Sequence, residues 1–137
     1  MRLVLCLAAL TALAQEPGIP VADPLVKAKC AACHKADDKG NLTRISWERT
    51  TPEGWQEVIK RMVRLNGVSL TPDEARQIVA SLSETHGLAP EEFKPVAWFF
   101  EKRAPHTEGI ANEALRDACA SCHPLARPRS WRRSKEE

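Results

Sequence analysis

Apolar residues recur at helical spacing along most of the chain. Trp55, Val58, Ile59, Met62 and Val63 fall at i, i+3, i+4, i+7 and i+8, one stripe of an amphipathic helix. Lys60, Arg61 and Arg64 lie off that stripe. Thr51-Pro52-Glu53 opens the helix, with proline in its first turn, and Asn66-Gly67 closes it with a left-handed cap. A second stripe, Ala75, Ile78, Val79 and Leu82, follows the capping-box pattern Thr71-Pro72-Asp73-Glu74 and stops at Gly87. A third helix is expected from Ala89-Pro90-Glu91-Glu92, carrying Phe93, Val96, Ala97 and Phe100. Two shorter patterns lie outside these. Asp23 and Pro24 cap a segment with Leu25, Val26 and Ala28 that runs into Cys30, and Glu113 to Ala118 runs into Cys119. The polar stretch from Lys35 to Trp47, with its Gly40-Asn41 turn signal, reads as a loop. No alternating strand pattern is present, so the expected fold is all-α, with about four or five helices.

The beginning of the chain departs from this patterning. Met1-Arg2 is followed by an apolar run, Leu3 to Leu13, and by the small-x-small pattern Ala12-Leu13-Ala14. This predicts a cleavable signal peptide over 1–14 and an exported, periplasmic protein. The run is too short for a membrane span, which needs about 20 apolar residues; the competing reading is an N-terminal core helix. Domain boundaries are expected at 15–105 for a first domain and 106–137 for the start of a second. Apolar residues make up 43% and charged residues 28%, and the net charge is +2. That balance directs the chain to neither nucleic acid nor a membrane surface. Tyrosine is absent and aromatic residues are few, so so small a core would gain from a bound cofactor that fills it.

The cysteines supply the chemistry. Of five, Cys6 lies in the signal segment, and the other four form Cys30-Ala31-Ala32-Cys33-His34 and Cys119-Ala120-Ser121-Cys122-His123. C-x-x-C-H is the attachment pattern of c-type haem. Two thiols at this spacing reach the two vinyl groups of one porphyrin edge. The adjacent histidine then lies beneath the iron as axial ligand. The expectation is two covalently bound haems, with His34 and His123 on the irons. Three other readings use the same residues: redox dithiols, one four-cysteine zinc site, and two disulfides.

A sixth ligand usually comes from Met or His. Met62 is the only methionine beyond the signal segment, and its stripe position suits the first haem; otherwise it is core filler. His86 and His106 are candidates for the second haem. His86, at a helix end before Gly87, equally reads as a solvated residue complementing the dipole. His106 follows Pro105 in a loop. After His123 only 124–137 remain, with Arg127, Arg129, Arg132, Arg133 and Lys135 but neither Met nor His. This basic tail reads as solvated, or as paired with haem propionates or an acidic partner. It is too short to enclose a haem, which leaves a truncated chain or a pocket completed by another subunit.

The run Arg44-Ile45-Ser46 through Thr51-Pro52-Glu53-Gly54-Trp55 to Arg61-Met62 resembles the N-terminal dihaem domain of the quinohaemoprotein amine dehydrogenase α subunit. Gly87-Leu88-Ala89-Pro90, Glu101-Lys102-Arg103, Cys119 to His123, Ala126-Arg127 and Arg132-Arg133 extend the resemblance over most of the chain beyond the signal segment. It implies a cytochrome c-like helical fold with two haems, held at Cys30, Cys33 and His34 and at Cys119, Cys122 and His123. Met62 falls where the family pattern has a methionine. It also implies partners: a small subunit whose quinone is made from cysteine and tryptophan, a propeller-like subunit, and a soluble copper protein or cytochrome as electron acceptor. The family continues past the second motif into β-rich domains, whereas this sequence stops.

The function expected is therefore electron relay from a quinone-bearing subunit to a soluble acceptor, with no amine-oxidising site in this chain itself. A free-standing dihaem shuttle is the alternative. A haem enzyme or gas sensor with an open iron position is a third reading, which carbon monoxide binding to the reduced protein would support.

Overall fold

The computed structural model describes residues 17–101 and 108–134. The predicted signal segment, Cys6 and His106 lie outside these residues. Helix α1, Pro24–Cys30, starts where expected: the Asp23 carboxylate accepts hydrogen bonds from the amides of Leu25 and Val26 at 2.7 and 3.0 Å. These bonds satisfy first-turn donors that have no partner within the helix, and they hold the Asp23 carboxyl below its ordinary pKa.

Two longer helices form the frame. Helix α2, Pro52–Asn66, is capped by Thr51 and ends at Gly67, whose φ of 69° is left-handed. Helix α3, Pro72–Thr85, opens with both arms of the Thr71–Glu74 capping box in place. They pack against each other, and α1 packs on α3. Their stripes meet in a core of Val21, Val26, Leu42, Ile45, Trp55, Ile59, Ile78 and Leu82. The expected α2 stripe is slightly too wide: Val63, at its edge, is exposed. The 35–47 loop is fastened inward, with Ile19 N–H donating to Ser46 O at 2.8 Å and Leu42 N–H to Ser46 Oγ at 2.9 Å.

The expected third helix is two short ones, α4 Pro90–Phe93 and α5 Ala97–Phe100. Pro95 stands between them. It has no N–H to continue the helical ladder, and its ring crowds the preceding turn. Beyond the undescribed 102–107 come α6, Glu113–Leu115, a π-helical turn over Arg116–Ala120, and α7, Ala126–Arg129.

The fold is not purely helical. Arg49–Thr50 (β1) and Trp131–Arg132 (β2) form an antiparallel ladder, with Arg49 opposite Arg132 and Thr50 opposite Trp131. Two-residue strands show no alternation, so hydropathy could not announce them. Nor is the basic tail a solvated extension. Leu125, Ala126 and Ser130 are buried, and Thr50 Oγ1 donates to Ser130 O at 2.9 Å. Arg132 and Arg133 pair with Glu92 and Glu48. No helix among the described residues is long and apolar enough to cross a membrane.

Candidate functional site

Helix α1 delivers the first Cys-x-x-Cys-His segment. Its last residue is Cys30, and the chain turns at once: the amides of Cys33 and His34 both donate to Cys30 O, at 3.2 and 2.9 Å. The His34 ring then meets the far side of the 35–47 loop, with Nδ1 2.8 Å from Thr43 O. A carbonyl only accepts, so Nδ1 carries the proton and Nε2 presents its lone pair. The residue after Thr43 completes this turn in an unusual way: Arg44 has φ 68°, a left-handed conformation that costs a non-glycine residue about 1 kcal/mol.

The second segment repeats the logic with less burial. The Asn112 side chain caps α6, accepting from Leu115 N–H at 3.0 Å. The helix then widens into the π-helical turn that contains Cys119. His123 N–H returns to Cys119 O at 3.4 Å, and His123 Nδ1 is 3.1 Å from Pro124 O. Again the outer nitrogen faces a carbonyl and Nε2 is left for a ligand. Cys122 and His123 are exposed, whereas Cys30 and His34 are half-buried.

The other chemistries open to these cysteines fit less well. All four thiols are free, so neither pair is a disulfide. Among the described residues no three His, Cys, Asp or Glu side chains gather where they could share a metal ion, so the two pairs do not meet as a four-cysteine zinc site. Reactive dithiols rely on a lowered thiol pKa, but burial pushes the Cys30 thiol up. Two unlinked thiols and an imidazole with its free nitrogen fixed suit a haem edge, and Cys30 packs against the hydrophobic core. A separate groove of about 230 Å³ lies between α2 and α3, lined by Ile59, Val63, Leu70, Pro72 and Ala75 and by the charged Lys60 and Arg64.

The candidate sixth ligands part ways. Met62 is half-buried near the end of α2, its sulfur 3.6 Å from Asn66 Nδ2. Its carbonyl accepts from Val68 N–H at 3.3 Å, at the start of the α2–α3 loop. Lys29, beside Cys30, reaches the same loop: its Nζ is 3.5 Å from Ser69 O and 2.8 Å from Glu74. The first motif and the Met62 end of α2 therefore border one loop. His86 is not the solvated helix-end residue expected. It is fully buried, with Nδ1 2.7 Å from Thr85 Oγ1 and Nε2 3.1 Å from Ile19 O. Both nitrogens are occupied, so this arrangement offers none to an iron. The Trp55 ring, nearly perpendicular to the imidazole with centroids 6.1 Å apart, and the core beneath explain the burial. His106 lies outside the described residues.

Two contributors could not be found from the sequence. Thr43 acts through its backbone carbonyl, which carries no residue signature. Glu92 joins distant segments, accepting from both Arg49 and Arg132; its charge is visible in the sequence but its partners are not.

A family model described as quinohemoprotein amine dehydrogenase A, alpha subunit, haem binding, matches residues 21–137. That span holds both Cys-x-x-Cys-His segments, the α2–α3 frame and the closing strand. Comparison with curated proteins finds no match.

Proposed function

The chain belongs to the family of haem-binding regions of the quinohemoprotein amine dehydrogenase α subunit, and from that premise we propose that it is a periplasmic, dihaem c-type electron-transfer subunit. It relays electrons from a quinone-bearing amine dehydrogenase subunit to a soluble copper protein or cytochrome. The observation that carries this reading is the repeated site: two Cys-x-x-Cys-His segments, each with free thiols and with histidine Nδ1 facing a backbone carbonyl.

Bound haem iron supplies one-electron redox chemistry. The protein's own residues do the rest. Cys30 and Cys33 tether one porphyrin through thioethers, and Cys119 and Cys122 tether the other. Thr43 O and Pro124 O fix the tautomers of His34 and His123, so that Nε2 is the ligating atom. Hydrogen bonds of this kind also raise ligand basicity and so tune the metal. Met62 is proposed as the sixth ligand of the first haem, where its thioether raises the reduction potential.

The test is pairwise removal of thiols from protein matured in an exporting host. Cys30→Ala/Cys33→Ala and Cys119→Ala/Cys122→Ala should each keep half of the wild-type covalent haem. The retained haem should be reduced by the amine-reduced quinone subunit. Unchanged haem content in either double variant contradicts the assignment of that site, and failure of the quinone subunit to reduce a fully loaded protein contradicts the relay.

A further inference from the structure

Glu92 is the most heavily bonded carboxylate among the described residues, and it sits in neither Cys-x-x-Cys-His segment. Its Oε2 is 2.6 Å from Arg49 Nη1 and its Oε1 2.7 Å from Arg49 Nη2, a bidentate pair. Oε1 also takes Arg132 Nε at 3.1 Å, and Oε2 takes the Ala89 amide at 2.9 Å. The Arg49 guanidinium, foremost, and the other donors hold the Glu92 carboxyl down at about 2.

The two arginines are opposite residues of the β1–β2 ladder. On one side β1 follows directly from the loop whose Thr43 carbonyl orients His34. On the other, β2 follows α7 and the buried pair Leu125-Ala126, which come straight after His123 and Pro124. Glu92, from α4, thus grips the strand pair that, among the described residues, joins the chain of the first motif to the chain of the second. Supporting ties are Thr50 Oγ1 to Ser130 O at 2.9 Å and Arg133 to Glu48 at 2.8 Å. Each is a single contact, one a neutral hydrogen bond and the other an ion pair with a half-exposed arginine, whereas Glu92 combines a bidentate pair with a second arginine.

We propose that Glu92, through Arg49 and Arg132, is a positioning residue that fixes the second haem-binding segment against the first and so sets the separation of the two haems. This rests on the two-haem reading above. Because electron transfer between two centres depends steeply on their separation, a clamp at this joint sets the internal relay from outside both Cys-x-x-Cys-His segments.

The test uses the full exported chain and two variants. Arg132→Gln cuts the second arm together with the Arg132 Nη1 bonds to Arg129 O and Trp131 O, and leaves the Arg49–Glu92 pair; Glu92→Gln removes the shared charge and leaves those two backbone bonds in place. Intact mass counts the haems first, and low-spin ferric EPR, or pulsed dipolar measurement between the two irons, then reads their separation. Amide hydrogen exchange over 125–134 is read in parallel. Both variants should keep wild-type helicity, should broaden or shift the iron–iron distance distribution, and should exchange at least about tenfold faster than wild type over 125–134 while α2 and α3 keep their wild-type rates. An unchanged distance distribution with unchanged exchange overturns the clamp. Should the wild-type chain carry fewer than two haems, the dihaem reading fails by itself. The exchange comparison then still decides whether Glu92 holds the segment, because protection of 125–134 needs no haem signal.

Discussion

At the scale of single residues, His86 shows how burial rewrites a side chain's chemistry. Burial pushes its pKa down, partly opposed by the hydrogen bond to Ile19 O, so the folded protein holds the neutral ring. The unfolded chain takes up a proton near pH 6.5. Below that value the unfolded state binds more protons, and stability falls with pH; above it the His86 contribution is fully present. Melting temperature should therefore drop as pH is lowered from 7 toward 5, and His86→Leu should flatten that part of the profile. His86→Ala should cost about 3 kcal/mol, read by denaturant unfolding, because it opens a cavity beside Trp55 and leaves Ile19 O without a partner. Met62 makes the opposite case, a residue whose value lies in a ligand. If it holds the first iron, Met62→Ala should abolish the far-red charge-transfer band of sulfur–iron ligation in the ferric protein. An unaltered spectrum would leave Met62 as packing alone. The motif cysteines and histidines were legible from spacing. The burial of His86 was not, because nothing local distinguishes a helix-end histidine facing water from one turned onto a tryptophan 31 positions earlier, whose indole N–H donates to its carbonyl at 3.1 Å.

Secondary-structure elements were read best where caps and stripes agree. Asp23-Pro24, Thr51-Pro52 and Thr71-Pro72 each set a helix start that the structure keeps. At Pro95 the apolar stripe continues but the helix does not, because proline interrupts it. The two short strands owe their pairing to tertiary position and leave no pattern in the sequence. The junction of β1 and α2 depends on one absent side chain. A β-carbon on Gly54 would collide with the Thr50 hydroxyl and methyl, and Thr50 is completely buried and bonded to Ser130. Gly54→Ala is accordingly expected to destabilise by about 1–3 kcal/mol, despite its better helix propensity. A chemical-denaturation midpoint at or above wild type would show that the junction relaxes freely.

For the molecule as a whole, the segment after the second motif folds back onto the part of the chain that follows the first, where β2 pairs with β1 and Ser130 O accepts from Thr50. That closure was beyond sequence reasoning, since arginines in a terminal segment pair with Glu92 and Glu48 only once α4 and β1 have been placed. It has a pH signature of its own. Glu92 falls from an ordinary 4.5 to about 2 on folding, so its contribution is fully present above about pH 4.5 and is lost as pH falls toward 2. Acid unfolding should begin at higher pH in Arg49→Gln than in wild type. Coincident acid-unfolding curves would place the stabilising charge elsewhere.

The central claim is that this fold carries two haems on its own cysteines. Intact mass spectrometry of the exported, matured protein under denaturing conditions tests it most directly, because only covalent haem survives unfolding. The expected result is one species carrying two haem increments, lost one at a time in the two double-cysteine variants. A species at the mass of the bare polypeptide, from cells that mature other c-type cytochromes normally, would contradict the account and return the four thiols to other chemistry.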